Sequence, residues 1–402
     1  MDFDDTAAEA AFRAEARAWL EEHAQLRTGE EKTSLHRAAA PDHVERCRAW
    51  QRTLYDGGWA GITWPEEYGG RGGTPNEQRI FNEEQAHFDV WAGVFTVAIA
   101  MTGPTIIAHG TDEQRERFLD PMLRGDHVWC QLFSEPGAGS DLAGLSTRAV
   151  RDGSEFVVNG QKVWTSGAQH ADWAILLART DPDVPKHRGI TYFLVDMQTP
   201  GIDVRPLRQI DGSAHFNEVF LTDVRIPADR VVGEVNAGWG PAHTTLANER
   251  TAIGGGGGTQ FAHLKRLVDK LGGGEDRWIR QELAAAYSRW RVLEFLGYRV
   301  STALSQGRMP GPESSVIKLA YSKHLEALGN LVMAIEGAHG MLGMDEAPLE
   351  GFAQSTFLMQ WSARIGGGTD QVQRNVIGER VLGLPGEARP DKELPFKELA
   401  RS

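Results

Sequence analysis

The 402-residue chain has only two cysteines, Cys47 and Cys130, too few for a disulfide framework or a multi-cysteine metal site. It also lacks the cation excess that nucleic acid demands, with 42 Lys+Arg against 55 Asp+Glu and a formal charge of −13. His-Glu-x-x-His is absent and the 13 histidines do not pair with cysteines at ligand spacing, so no metal is expected. There is no Gly-x-x-x-x-Gly-Lys-Ser/Thr, and Gly137-Ala138-Gly139 lacks the third glycine of a dinucleotide fingerprint. Gly-x-Ser-x-Gly is missing too, which removes the simplest α/β-hydrolase reading. The acidic start, Met1 to Thr6, is neither a secretory signal nor a transit peptide; with so little cysteine, a cytoplasmic location is expected. One uncharged run, Val90 to Ala108, is long enough to span a bilayer. Gly93, Gly103 and Pro104 interrupt it and Thr96, Thr102 and Thr105 dilute it, so a buried helix plus turn is expected instead.

What is present is ordinary globular material, 41% hydrophobic and 24% charged. At about 150 residues per domain the length suggests two or three domains or one large composite fold. The pattern changes twice. Residues 1–125 read as helical: Phe12, Ala16, Trp19 and Leu20 recur at helical spacing, Asp42 precedes a helix closed by Gly57-Gly58, and Thr111-Asp112-Glu113-Gln114 opens another. Residues 126–235 read as strands, with Asn159-Gly160 as a hairpin turn and further strands at Trp173–Ala178, Ile190–Val195, Ile202–Pro206 and Asn217–Val224. Strand follows strand with no helix between, so this middle sheet should be antiparallel. Residues 236–402 return to helices, over Pro241–Lys270, Glu275–Gln306 and Glu313–Gly340, with a last one from about Thr369, which reads as a four-helix bundle. The run Gly254 to Gly258 is either a close approach of backbones or a break in the first of these, since each glycine weakens a helix by about 1 kcal/mol. The polar tail from Glu387 reads as loose. The expected fold is thus α+β and multidomain: helical, antiparallel β, helical bundle.

Three segments carry chemistry. Cys130-Gln131-Leu132-Phe133-Ser134-Glu135-Pro136-Gly137-Ala138-Gly139-Ser140-Asp141 reads as a strand end and a glycine-permitted turn that can aim hydroxyls and N–H groups at a flat polar ring or a phosphate; a plain connector explains it as well. Asn159 to Gly167 puts Trp164 before Thr165 and Ser166, an aromatic beside small hydrogen-bonding groups that suits a heteroaromatic cofactor, or a core tryptophan. Ala363 to Arg380 opens a helix from a glycine-rich loop, with Thr369 or Asp370 as cap.

In this order and across this layout, the three segments resemble the acyl-CoA dehydrogenase family over nearly the whole chain. The resemblance implies non-covalent FAD, an acyl-CoA substrate, α,β-dehydrogenation to the trans-2-enoyl-CoA, a homodimer or homotetramer, and electron transfer to an electron-transferring flavoprotein. By the same resemblance Gln131, Phe133 and Ser134 contact the flavin, Ser140 lies near the thioester and pantetheine, Trp164 and Ser166 flank the ring with the Ser166 hydroxyl near N5, and Thr369 and Gln371 hold the adenosine half of FAD. Where many members carry the catalytic glutamate, this chain has Gly367. A second family placement, just before an arginine on the first bundle helix, is matched by Glu249 and Arg250. Glu249 is therefore expected to take the α-proton as the β-hydride moves to flavin N5, with Arg250 on the substrate side; the alternative is a surface carboxylate paired to an arginine. Gly366-Gly367-Gly368-Thr369 looks like the actinobacterial steroid or branched-acyl group. The family's Arg-Phe-Gly is absent around Asp269 to Arg277, and Ala334 stands near the place of a family glutamine, so a heteromer stays open. Val94 to Ile107 and the first bundle helix are expected to line the acyl pocket, opened by the glycine run. A flavin oxidase or monooxygenase on the same fold and a non-catalytic subunit of a heteromer are the alternatives.

Overall fold

The structure is a computed structural model and describes residues 5–28, 37–38, 40–253, 257–306, 311, 314–343, 346–388 and 391–399. In chain order the helices are α1 (Ala7–His23), α2 (His43–Asp56), α3 (Pro75–Gln85), α4 (Gly103–His109) and α5 (Asp112–Arg124). The strands are β1 (Trp129–Leu132), β2 (Arg148–Asp152), β3 (Glu155–Ser166), β4 (Trp173–Arg179), β5 (Ile190–Asp196), β6 (Ile202–Pro206) and β7 (Phe216–Pro227). They are followed by α6 (Trp239–Ile253), α7 (Gly257–Leu271), α8 (Arg277–Ser305), α9 (Ser314–Glu336), α10 (Phe352–Ile365) and α11 (Asp370–Val376). The chain divides into two compact units: Met1–His43, Gly73–Val90 and Arg250–Gly386 form one, and Val44–Gly72, Trp91–Glu249 and Glu387–Ser402 the other.

In the first unit, α1 begins where Thr6 and Glu9 close a reciprocal capping box, and it buries Phe12, Ala16 and Leu20 at intervals of four. α3 repeats the device with Thr74, Glu77 and Pro75 in its first turn. Arg13 and Arg17 of α1 hold Glu84 of α3. Helices α7 to α10 pack around Leu264, Leu267, Ala286, Leu328, Val332 and Phe352. The fourth bundle helix is thus α10, which the sequence pattern hides; the helix expected from Thr369 is the short α11. The expected helix over 241–270 is described as α6, ending at Ile253, and α7, starting at Gly257; Gly254–Gly256, and with them the reading of the glycine run, lie outside the described residues.

The second unit is built on a seven-stranded sheet of order β1-β4-β2-β3-β7-β6, with β5 also on β4. β4 is buried at every position, so a run of apolar residues without alternation marks the sheet's centre. Most pairs are antiparallel, but β1 runs parallel to β4 from Trp129 opposite Trp173 to Leu132 opposite Leu176, so the sheet is mixed. Parallel neighbours need a long crossover, which the chain from Phe133 to Asp172 supplies. Asn159-Gly160 is not a turn. β3 runs straight through it, and the hairpin turns at Asp152-Gly153-Ser154, where Gly153 has φ 62°. Gly160 is needed for closeness instead: a Cβ there would stand 2.3 Å from Thr147 Oγ1. The apolar run before α4 forms a wide π-type turn, Val97–Thr102, and a Cβ at Gly103 would meet the Trp64 ring at 2.0 Å. Among the described residues no helix is long and apolar enough to cross a membrane. Described residues of the tail are tied down: Phe396 N–H donates to Val184 at 2.9 Å, Lys397 N–H to Pro182 at 3.0 Å, and the Arg179 guanidinium lies 3.7 Å over the Phe396 ring.

Candidate active site

β1 ends at Leu132, and the chain then leaves the sheet through Phe133 and Ser134. That exit is stitched to β3 by backbone and by charge. Val163 N–H donates to Ser134 O at 2.9 Å, and the Lys162 ammonium donates to Phe133 O at 3.0 Å and to Glu135 at 2.8 Å. Lys162 points inward from β3 and is fully buried. Burial pushes the Glu135 carboxyl up, but the Lys162 charge and the donors of Ser146 and Thr147 outweigh it and hold it at about 2. Glu135 therefore stays ionised near neutrality, while burial lowers the Lys162 ammonium from its ordinary value against the pull of Glu135. Neither residue was singled out in the sequence, although a lysine pointing inward from a strand signals a buried counter-charge.

Two residues beyond Lys162, Trp164 has φ 61° and exposes 61% of its surface. A bulky residue in the left-handed region costs on the order of 1–3 kcal/mol and persists where its surroundings over-determine it. Here the strand irregularity between Lys162 and Thr165, the edge-on Phe216 ring at 6.0 Å, and Gly167 N–H on His215 O at 3.0 Å hold the indole outward. Ser166 follows, half-buried, still paired to Phe216 of β7. Ser140 is exposed in the turn after Ser134, and its neighbour Asp141 holds Lys186 at 2.7 Å.

Glu249 reaches the same strand end. On α6 it is half-buried, and Gln131 Nε2 lies 3.5 Å from Glu249 Oε2. The structure thus joins Gln131, Phe133 and Ser134, ties them to the strand of Trp164 and Ser166, and sets a carboxylate beside Gln131. Arg250 follows on α6, with its side chain outside the described residues. In the other unit, Thr369 caps α11 by accepting Val372 N–H at 3.1 Å, and Gln371 is exposed two residues on. Gly367 and Gly368 have φ 62° and 88°, conformations that side-chain-bearing residues rarely adopt, and a Cβ at Gly368 would stand 2.5 Å from Gln373 Nε2. The absence of a carboxylate at position 367 is therefore matched by a backbone shaped for glycine.

The flavin implied by the family is a flat, largely apolar ring edged with polar atoms. An outward, strained indole next to Ser166, with the Ser134 hydroxyl and the Gln131 amide on the clamped exit, is a donor set that fits such a ring.

Residues 6–126, 130–224 and 236–382 match the family models described as the N-terminal, middle and C-terminal domains of acyl-CoA dehydrogenase. The chain is 44% identical over 337 residues to Acyl-CoA dehydrogenase FadE34 of Mycobacterium tuberculosis, covering 83% of this chain and 46% of that protein, so it spans about half that relative's length. It is 38% identical over 386 residues to Acyl-CoA dehydrogenase IpdE1 of Mycobacterium tuberculosis, covering 94% and 98% of the two chains. A solved structure, the Tcur3481-Tcur3483 steroid ACAD, superposes with a TM-score of 0.84 at 32% identity, covering 96% of this chain and 100% of that one. The chain belongs to the acyl-CoA dehydrogenase family of flavoprotein oxidoreductases.

Proposed function

We propose that this chain catalyses FAD-dependent α,β-dehydrogenation of an acyl-CoA thioester to the trans-2-enoyl-CoA, with Glu249 taking the α-proton. The observation that carries this reading is the Glu249 carboxylate beside Gln131 at 3.5 Å, on a strand end that also presents Phe133 and Ser134, in a chain whose position 367 is glycine. Breaking the α C–H bond leaves its electron pair on a carbon next to the thioester carbonyl, and a positioned carboxylate receives the proton. FAD, when bound, supplies the two-electron acceptor that takes the β-hydrogen as hydride. The chain's own residues do the rest. The clamped exit fixes Phe133 and Ser134, Trp164 and Ser166 present an aromatic face and a hydroxyl to the ring, and Thr369 and Gln371 serve its adenosine half. Ser140 and Arg250 lie on the substrate side. Val94 to Ile107 and α6 supply the acyl pocket; Thr105 already meets Thr245 of α6 at 2.9 Å, and Val97, Ile99, Ile107 and Leu246 pack on one apolar cluster. We assign residues 1–125, 126–235 and 236–402 as the three functional domains and the cytoplasm as the location, with electron-transferring flavoprotein as acceptor.

The neighbour named as a steroid ACAD favours a bulky acyl group, a steroid side chain or a branched chain, over a short straight one. Because that neighbour is named for two chains, assembly with a second, different subunit is the second reading, with a homo-oligomer as its alternative. An anaerobic visible spectrum of the purified protein, titrated with straight, branched and steroid side-chain acyl-CoAs, tests both. Bleaching of a yellow flavin by one class supports the activity and names the substrate. A colourless chain that gains flavin only with a second subunit supports the heteromer. A yellow protein unaffected by every thioester contradicts the activity.

A further inference from the structure

Glu249 has a neighbour one helical turn back that the reaction itself does not require. Thr245 precedes it by four residues on α6, so the two side chains leave the same face of the helix. Glu249 is half-buried, whereas Thr245 is sealed at 0% exposure, and so are the two side chains that meet it. Its hydroxyl lies 3.0 Å from Tyr192 Oη of β5 and 2.9 Å from Thr105 Oγ1 of α4. Thr105 in turn donates to Met101 O at 2.8 Å, inside the π-type turn. Each hydroxyl has one proton, and the order Tyr192 to Thr245 to Thr105 to Met101 O uses all three with every donor satisfied. Pro241 O, 3.1 Å from Thr245 Oγ1, is an alternative acceptor on α6 itself. Burial pushes the Tyr192 phenol well above its ordinary value, so it remains a donor throughout the working range.

The same tyrosine reaches the other half of the site. Its ring meets Phe133 edge-on at 6.0 Å, and Phe133 O is the carbonyl that Lys162 holds. One buried residue therefore touches both the exit that presents Gln131, Phe133 and Ser134 and the helix that presents Glu249. Apolar packing sets where a helix lies; a buried hydroxyl chain adds a directional constraint on its rotation, because turning would strand up to three polar groups away from water.

We propose that Thr245, held by Tyr192 and Thr105, is a positioning residue that fixes the rotation of α6 and so aims the Glu249 carboxylate at the strand end. This rests on the reading of Glu249 as the base. Misplacing a reacting group by about 1 Å costs on the order of 100-fold in rate, so the effect belongs in kcat per bound flavin and not in KM.

The test uses the full chain with FAD and whichever acyl-CoA bleaches it, and compares Thr245→Val, Thr245→Ser, Tyr192→Phe and Glu249→Gln. Thr245→Val removes the hydroxyl at nearly constant shape and is expected to lower kcat per bound flavin by about 10- to 100-fold, with KM and flavin content within about twofold of the parent. Thr245→Ser restores the hydroxyl and is expected to recover kcat to within about threefold. A merely structural role would lower flavin content or Tm and leave the turnover of each loaded site unchanged; that result overturns the proposal, as does a serine variant no better than valine. Should Thr245→Val fail to fold, Tyr192→Phe decides by the same readouts, since it keeps the ring against Phe133 and removes only the donor. The two readings separate cleanly. If Glu249→Gln is dead while Thr245→Val is fully active, only the positioning role falls; if Glu249→Gln turns over normally, the base assignment falls and takes this inference with it.

Discussion

Lys162 and Asp370 are both buried charges, one in each compact unit, and they are built differently. Around Lys162 the opposite charges are joined by short, direct hydrogen bonds. Its ammonium has Phe133 O and Glu135, and Glu135 also receives Ser146 N–H at 2.7 Å, Ser146 Oγ at 3.0 Å and Thr147 N–H at 2.9 Å. Around Asp370 the charges are close but not joined. Ser322 Oγ donates at 2.5 Å, yet Arg364 stands 3.6 Å away and Lys318 and Lys323 each 4.0 Å. Asp370 Oδ2 and Lys318 Nζ are buried without a hydrogen-bond partner among the described residues. Short, direct bonds between opposite charges hold one arrangement firmly, whereas charges at longer range leave neighbouring arrangements closer in energy. The strand end beside Trp164 is thus held by a tight set of short bonds, whereas the charges beside the glycine loop before Asp370 add only looser attraction to the bonds that Gln373 Nε2 makes to Gly367 O at 3.1 Å and Gly368 O at 3.4 Å. Directness of pairing, more than the number of charges, determines how rigidly a buried cluster holds its loop.

Three variants probe the difference between the two clusters. Lys162→Met is expected to be the most damaging, at about 3–5 kcal/mol, because it leaves Glu135 buried and uncompensated; urea unfolding measures it, and a loss under 1 kcal/mol would dissolve the contrast. Asp370→Asn keeps the Ser322 hydrogen bond and loses only the loose attraction, for about 1–3 kcal/mol in the same assay. Phe396→Ala removes the ring under Arg179 and is expected to cost about 0.5–2 kcal/mol, with earlier proteolysis of the tail as a second readout.

Acid sharpens the comparison further. Since Glu135 is held at about 2 in the fold against an ordinary value of 4.5, its ionised carboxylate contributes stability that is fully present above 4.5. That contribution is lost as pH falls from 4.5 toward 2. In an acid titration followed by circular dichroism, the parent is expected to lose stability across this window, and Lys162→Met to lack that component.

Much of the fold was legible because short-range chemistry dictates it. Thr111 caps α5 by accepting Gln114 N–H, as its Thr-Asp-Glu-Gln spacing requires, and the apolar runs of β4 and β5 have no other use than a sheet interior. The failures share a cause: residues whose role is set by a distant partner. Gly160 looks like half of a turn but serves the approach of Thr147. α10 was invisible because Gln354 and Gln360 occupy its buried face, Gln354 bonding Glu336 at 2.7 Å, so its apolar periodicity is broken. Phe396 is an isolated aromatic in a polar tail until Arg179 is seen above it. In the candidate site, Gln131, Phe133, Ser134, Trp164, Ser166 and Glu249 could be named from the motifs and the family resemblance. The partners that hold them, Lys162 with Glu135 and Thr245 with Tyr192 and Thr105, could not, because Thr105 and Thr245 are 140 residues apart.

The carboxylate on α6 is proposed to do the work that position 367 cannot. Purified Glu249→Gln, loaded with FAD and titrated anaerobically with the acyl-CoA that bleaches the parent, tests it directly. The variant is expected to stay yellow, with bleaching slowed by about 100-fold or more while flavin content is unchanged. Bleaching at the parental rate would contradict it.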